Sequence, residues 1–380
     1  MSEKIQVTCP FCSLLCTDPR ISLDGGQLAG FTPHCVLGEA GFKRAMAVLS
    51  SEQPGRDYLN ETLQKARKWL QDAHQPMLVL SGGLDNETVS AVIQLAKQYS
   101  AILVCDEDSS GSILGLAIKE AGFLTGTLRD LHSLSEMILC GVKPASTHPR
   151  LGEFLGKDLT TRVLDLGSSN SLIALRWLRL AGSYAGRNIP VKYAEMAKRI
   201  EAATSGLVIF GSEWIKHGRP FSTELLLWLK NLNKKNRWYG LNLPNAPNSI
   251  GVVEVLRAET GYPGNLRFSP NGIDYSPHVW QAERLIQQGI VDLCILVGMP
   301  DSFLKNTLAL LSHGQTILLS PDKPKIMLPI WLPTARSGVD TSGLFQRLDG
   351  VPVEIHSVLK GKRIPIKDLL IELTREDTLA

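Results

Sequence analysis

The chain has 380 residues, 44% of them hydrophobic, which is enough to bury more than one core and excludes a disordered protein. Lys and Arg number 40 against 37 Asp and Glu, a net charge of +3 with no long single-sign run, so nucleic acid is not an expected partner. No uncharged apolar run reaches about 18 residues, and Met1-Ser2-Glu3-Lys4 has no apolar stretch behind a basic region; a cytoplasmic protein with no membrane partner is expected.

In chain order, Ile21-Ser22-Leu23, the turn Asp24-Gly25-Gly26 and Gln27-Leu28-Ala29-Gly30 read as a hairpin in a small cysteine-bearing unit. An amphipathic helix over 58–73, a buried strand at Met77–Leu80, a Ser81-Gly82-Gly83 turn, a helix over 87–99 and a strand at Ile102–Cys105 follow. The apolar runs 137–141, 163–167, 207–211, 293–298 and 316–320 repeat one design, each ending in Gly or Ser. Parallel sheets covered on both faces give this pattern, and their ligands lie beyond the carboxyl ends of the strands. The stretch from Leu243 to Pro277, rich in Pro, Asn and Gly, reads as a long binding or packing loop, and 329–353 reads as irregular. The expected architecture is α/β. It comprises a small N-terminal β domain over 1–50, an α/β domain from 51–155 plus 325–380, and a second Rossmann-like parallel-sheet domain over 156–324.

Seven cysteines stand at 9, 12, 16, 35, 105, 140 and 294, and an odd count with four clustered members argues against a disulfide framework. Cys9-x2-Cys12-x3-Cys16 followed by Cys35 places three thiols on one loop and a fourth on a distant turn, the manner in which a [4Fe-4S] cluster is held. Zinc more often takes two separated Cys-x2-Cys knuckles. Zinc, or four empty reduced thiols, stay open beside the cluster. Cys105 ends an apolar strand and reads as a small buried hydrophobe. His148 and His217 lie beside Pro or Gly in loops, with no visible nucleophile or carboxylate dyad, and read as packing or capping residues. Glu213, Trp214 and Arg219 have no assigned role.

Four stretches together resemble the B subunit of formylmethanofuran dehydrogenase, in the molybdopterin oxidoreductase superfamily. They are Cys9-Pro-Phe-Cys-Ser-Leu-Leu-Cys-Thr-Asp18 with Cys35-Val-Leu-Gly-Glu-Ala40; Leu116-Ala-Ile-Lys-Glu-Ala-Gly122 leading to Thr127-Leu128; Cys140-Gly-Val-Lys-Pro-Ala-Ser-Thr-His-Pro-Arg150; and Pro333–Gly343 with Arg347-Leu-Asp-Gly-Val-Pro352. The resemblance implies a [4Fe-4S] cluster on Cys9, Cys12, Cys16 and Cys35, and a molybdopterin oxidoreductase-like fold without the C-terminal barrel.

Two departures stand against this pattern. Where the family's dehydrogenases carry the Cys or selenocysteine that ligates tungsten or molybdenum, anchoring on Leu116–Gly122 puts Asp108-Ser109-Ser110-Gly111, harder donors than a thiolate. After the strand ending at Asp165, where the family carries a basic residue that grips its pterin nucleotide, this chain has Leu166-Gly167-Ser168-Ser169. No tungsten or molybdenum pterin is therefore expected, and no catalytic or pterin-binding residue is assigned. The pattern is most like the B subunit of the bacterial formyltransferase/hydrolase complex. That resemblance implies a non-catalytic scaffold in tetrahydromethanopterin- and methanofuran-linked one-carbon metabolism, with hydrolase, formyltransferase and glutamate-synthase-like subunits as partners. The competing reading is an active tungsten or molybdenum dehydrogenase subunit with Asp108, Ser109, Ser110 or Cys105 on the metal; a solitary electron-transfer or nucleotide-binding module is a third.

Overall fold

The computed structural model describes residues 4–50, 55–105, 126–156, 163–167, 171–181, 188–211, 219–299, 315–361 and 363–375. An N-terminal antiparallel sheet joins β1 (Lys4–Gln6), β2 (Arg20–Asp24) and β3 (Gln27–Thr32), and helix α1 (Val36–Ser50) packs on β3. Two larger sheets follow, as the sequence pattern requires.

The first has seven strands in the order β11 (Gly272–Tyr275), β10 (Leu266–Ser269), β5 (Ile102–Cys105), β4 (Pro76–Leu80), β12 (Leu293–Val297), β13 (Gln315–Ser320), β14 (Ile330–Pro333). Its parallel centre is β4, flanked by β5 and β12, with β13 and β14 beyond. Every residue of β4 and β12 is buried. Side chains alternate between two cores: Leu78, Leu80, Leu293, Ile295 and Val297 face one, and Met77, Val79, Cys294 and Leu296 the other. Helices α2 (Arg56–Asp72) and α3 (Asn86–Gln98) cover the first of these faces. Leu63, Ala66 and Leu70 of α2 recur at helical spacing and are buried, each Leu contributing about 1.5–3 kcal/mol. Helix α3 starts where it does because the Asp85 carboxylate accepts from Thr88 N (2.9 Å) and Thr88 Oγ1 (2.8 Å).

The second sheet is all parallel, in the order β7-β6-β8-β9, from β6 (Glu136–Cys140), β7 (Val163–Asp165), β8 (Ser205–Gly211) and β9 (Arg237–Leu243). One face buries Ile138, Cys140, Val208 and Phe210; the other buries Met137, Leu207, Ile209, Leu241 and Leu243. That second core also takes in Cys12, Leu14 and Cys16, so the cysteine loop of the N-terminal unit is packed into the underside of this sheet.

Three expectations are corrected. The sheets partition the chain differently from the domain boundaries at 155/156 and 324/325. Strand β6 belongs to the second sheet, while β10 (Leu266–Ser269), β11 (Gly272–Tyr275), β12 and β13 return to the first. Short apolar strands ending in Gly carry no label of the sheet they join. The stretch from Leu243 to Pro277 is not a structureless loop: it holds a helix over Ser249–Thr260, which buries Val252, Val253 and Leu256, and the β10–β11 hairpin. Its Pro, Asn and Gly lie mainly in the connecting turns; Gly261, with φ 84°, closes the helix by donating to Arg257 O. The segment 329–353 likewise holds β14 and β15 (Gly343–Gln346), the latter paired with β16 (Pro352–Ile355). These four-residue strands are too short for alternation to betray them. Among the described residues no helix is long and apolar enough to cross a membrane.

Candidate functional site

The four cysteines singled out by spacing come together: Cys9, Cys12, Cys16 and Cys35 line one small cavity with Phe11, Phe31, Pro149 and Arg150, and all four are buried. The loop that carries three of them is closed by backbone bonds from Cys9 N to Cys16 O (2.9 Å), Leu15 N to Cys12 O (3.2 Å) and Val7 N to Pro19 O (2.8 Å). Cys35 directly precedes α1 and its carbonyl accepts from Glu39 N, so the fourth thiol stands at the positive end of a helix. The glycine of Cys35-x2-Gly38 has a steric reason, because a Cβ there would lie 2.6 Å from the Phe31 ring and 3.2 Å from Cys9 Sγ.

Burial pushes the Cys12 thiol up to about 11 and the Cys16 thiol up to about 12, with Arg150 pulling both partly back; burial raises Cys9 further still. With nothing bound, those three thiols are neutral at pH 7, and metal binding must release protons. The donor set is soft, buried and convergent, which fits an iron-sulfur cluster. Among the described residues no group of three or more His, Cys, Asp or Glu is arranged to hold a metal ion.

The described parts of the segments resembling the dehydrogenase converge on this loop. His148 Nε2 lies 2.7 Å from Ser13 Oγ, with both residues fully buried, and His148 Nδ1 lies 2.9 Å from Thr147 Oγ1. Burial lowers the imidazole to about 4, so it is neutral at pH 7. The packing role expected for His148 takes this definite form. Arg150 forks onto Asp18 through Nη1 (3.0 Å) and Nη2 (2.7 Å) and also bonds Glu153, holding the Asp18 carboxyl below its usual range. From the far end of the chain, Leu348 N donates to Ser13 O at 2.9 Å. Beside it, the fully enclosed Asp349 carboxylate pairs with Arg347 (2.7 Å) and accepts from Leu128 N (2.8 Å). Motifs near residues 13, 128, 148 and 348 thus brace one another.

Sequence reasoning named Asp18 and Arg150 only as parts of motifs. Their pairing is a contact across 132 positions that no local pattern exposes.

A second cavity, of about 360 Å³, opens beyond the carboxyl ends of β4, β12 and β13, between the turns at Ser81, Gly83, Gly298 and Pro321. This is where a sheet of this type places ligands. Its charges are largely answered within the chain. Asp85 caps α3 and also accepts from Ser337 Oγ (3.2 Å), Arg336 pairs with Asp322 (2.7 Å), and Lys367 pairs with Glu87.

Cys105 does not line this cavity. Its thiol is buried against the 263–265 turn, with Sγ 3.9 Å from Pro263 O, in the core predicted for it. In the turn after β7, Gly167 N donates to the Asp165 carboxylate at 2.8 Å. The segment Asp108-Ser109-Ser110-Gly111, the helix expected over Leu116–Gly122, and Ser168, Ser169, Glu213, Trp214 and His217 lie outside the described residues.

No family model matches the chain. It is 22% identical to the B subunit of the tungsten-containing formylmethanofuran dehydrogenase 2 of Methanococcus maripaludis, with 95% of each chain covered. The protein of the same description from Methanocaldococcus jannaschii is 21% identical, with 93% of each chain covered. Among solved structures, a chain of the formyltransferase/hydrolase complex (FhcABCD) from Methylorubrum extorquens, determined with methylofuran, superposes with a TM-score of 0.68 at 16% identity. That match covers 85% of this chain and 96% of the other, and establishes the α/β fold with its small N-terminal sheet. Over nearly its whole length, the chain is similar in sequence to formylmethanofuran dehydrogenase B subunits.

Proposed function

We propose that this chain is the B subunit of a formyltransferase/hydrolase complex, acting in methanofuran- and tetrahydromethanopterin-linked one-carbon metabolism as a scaffold without a metal-pterin centre. What supports the reading is similarity along 95% of the chain to a dehydrogenase B subunit and a fold shared with a chain of a formyltransferase/hydrolase complex, together with the resemblance, which, anchored on Leu116–Gly122, implies Asp108-Ser109-Ser110-Gly111 in place of the soft metal ligand. The nearest thiol in sequence, Cys105, is committed to the core at the 263–265 turn, which supports the same conclusion. Formyl transfer and hydrolysis then belong to partner subunits, a formyltransferase and a hydrolase, with a glutamate-synthase-like subunit completing the assembly. This chain contributes the surface on which they meet.

Within that scaffold, Cys9, Cys12, Cys16 and Cys35 hold a [4Fe-4S] cluster. The shared cavity and the loop spacing support this. When bound, the group supplies a one-electron carrier and a covalent staple between the 9–16 loop and α1. The chain's own residues close the loop, exclude water and keep Arg150 beside the thiols.

Affinity purification of the tagged chain from its native cells tests the scaffold reading. Co-purification of the hydrolase, formyltransferase and glutamate-synthase-like subunits is expected. Recovery of the chain alone, or with electron-transfer partners of a dehydrogenase, overturns it.

A further inference from the structure

Resting on the cluster reading above, we infer that Arg150 is a positioning residue whose guanidinium, fixed beside the four thiols, sets how readily the bound cluster takes an electron. The Arg150 side chain is only 7% exposed, although both carboxylates it binds, Asp18 and Glu153, are more than half exposed. An ion pair serving the surface alone needs no such enclosure, and desolvating a guanidinium is costly. Arg150 lines the cavity of Cys9, Cys12, Cys16 and Cys35 and its charge acts on the Cys12 and Cys16 thiols, while its guanidinium binds the two outer carboxylates.

The fork leaves it little freedom: Nη1 and Nη2 bind the two oxygens of Asp18, while Nε and Nη2 bind Glu153 Oε2 at 2.9 and 2.6 Å. Pro149, also in the cavity wall, and His148, bonded to Ser13, fix the backbone on its N-terminal side. A cluster ligated by four thiolates carries net negative charge that grows on reduction. A cation locked at its edge therefore favours the reduced state, and shields it from the Asp18 carboxylate.

The test is an anaerobic redox titration, followed by electron paramagnetic resonance, on the complex carrying wild-type chain, Arg150→Gln, Arg150→Lys or Asp18→Asn. Arg150→Gln is expected to shift the oxidised-to-reduced ratio at a fixed potential about tenfold toward oxidised, while Arg150→Lys, which keeps the charge and loses the fork, stays within about threefold of wild type. Asp18→Asn is expected to shift the ratio toward reduced. If the Gln variant does not retain the cluster, the Asp18→Asn titration decides alone: an unchanged ratio overturns the role of Arg150. A wild-type chain holding iron and sulfide, with all variants titrating alike, overturns the role and leaves the cluster standing. A wild-type chain without iron and sulfide removes the cluster reading and this inference with it.

Discussion

Among the described residues, the cysteine cavity and the cleft at the carboxyl ends of the first sheet are two places where a group could be held, and they are built oppositely. In the cavity, four soft donors converge and the polar groups around them reach across the chain, from Ser13 to His148 and from Asp18 to Arg150. In the cleft, most of the charged side chains are answered within the chain, with Arg336 on Asp322, Lys367 on Glu87 and Asp85 on the first turn of α3, and Arg44 lines the wall beside them. The cavity gathers thiol donors, and most of the cleft's charges hold its walls together.

Replacing Cys9, Cys12, Cys16 and Cys35 together with Ser breaks the first half of this comparison and has the largest expected effect. Iron and sulfide, about four of each per chain, should disappear, and assembly with partners should weaken. If folding and assembly are untouched, the structural role assigned to the four residues is wrong. Next in size is Arg347→Ala, which leaves the enclosed Asp349 carboxylate without its counter-charge and should cost about 3 kcal/mol in urea unfolding. A loss below about 1 kcal/mol would mean that the brace is not where stability resides.

Ser13→Ala leaves His148 Nε2 without its partner inside the protein, with an expected loss of about 1–3 kcal/mol. His148 also gives a pH signature. Its folded pKa of about 4 lies below the ordinary 6.5, so the native chain binds fewer protons than the unfolded one in that window. Stability on this account is full above about pH 6.5 and is lost as the pH falls toward about 4. His148→Gln should flatten that part of the pH profile, and an unchanged profile contradicts it. The smallest effect belongs to the cleft: Lys367→Ala breaks an exposed pair and should change stability by less than about 1 kcal/mol, with no change in iron content.

What the sequence disclosed follows the same division. Strands β4, β5, β8, β12 and β13 were legible because buried parallel strands are uninterrupted apolar runs, and the four cysteines because ligand spacing on a loop is local. Strand β14 and the β15–β16 pair stayed hidden, since four residues carry too little periodicity. The helix at Ser249–Thr260 was masked by the turn residues flanking it. The assignment of β6 to the second sheet was illegible for another reason: pairing partners of central strands are chosen by chain topology, and Met137-Ile138-Leu139 would suit either sheet. Around the cysteines, the motif His148-Pro149-Arg150 was visible, but its contacts with Ser13 and Asp18 were not, being set by a fold that brings together positions 135 and 132 residues apart.

The most direct measurement is the metal inventory of the complex purified from native cells under exclusion of oxygen, quantified per copy of this chain. Iron and acid-labile sulfide near about four each, with neither tungsten nor molybdenum above background, is the expected result. Tungsten or molybdenum at one per chain together with bound pterin would contradict the account, and would return the chain to the catalytic role of its dehydrogenase relatives.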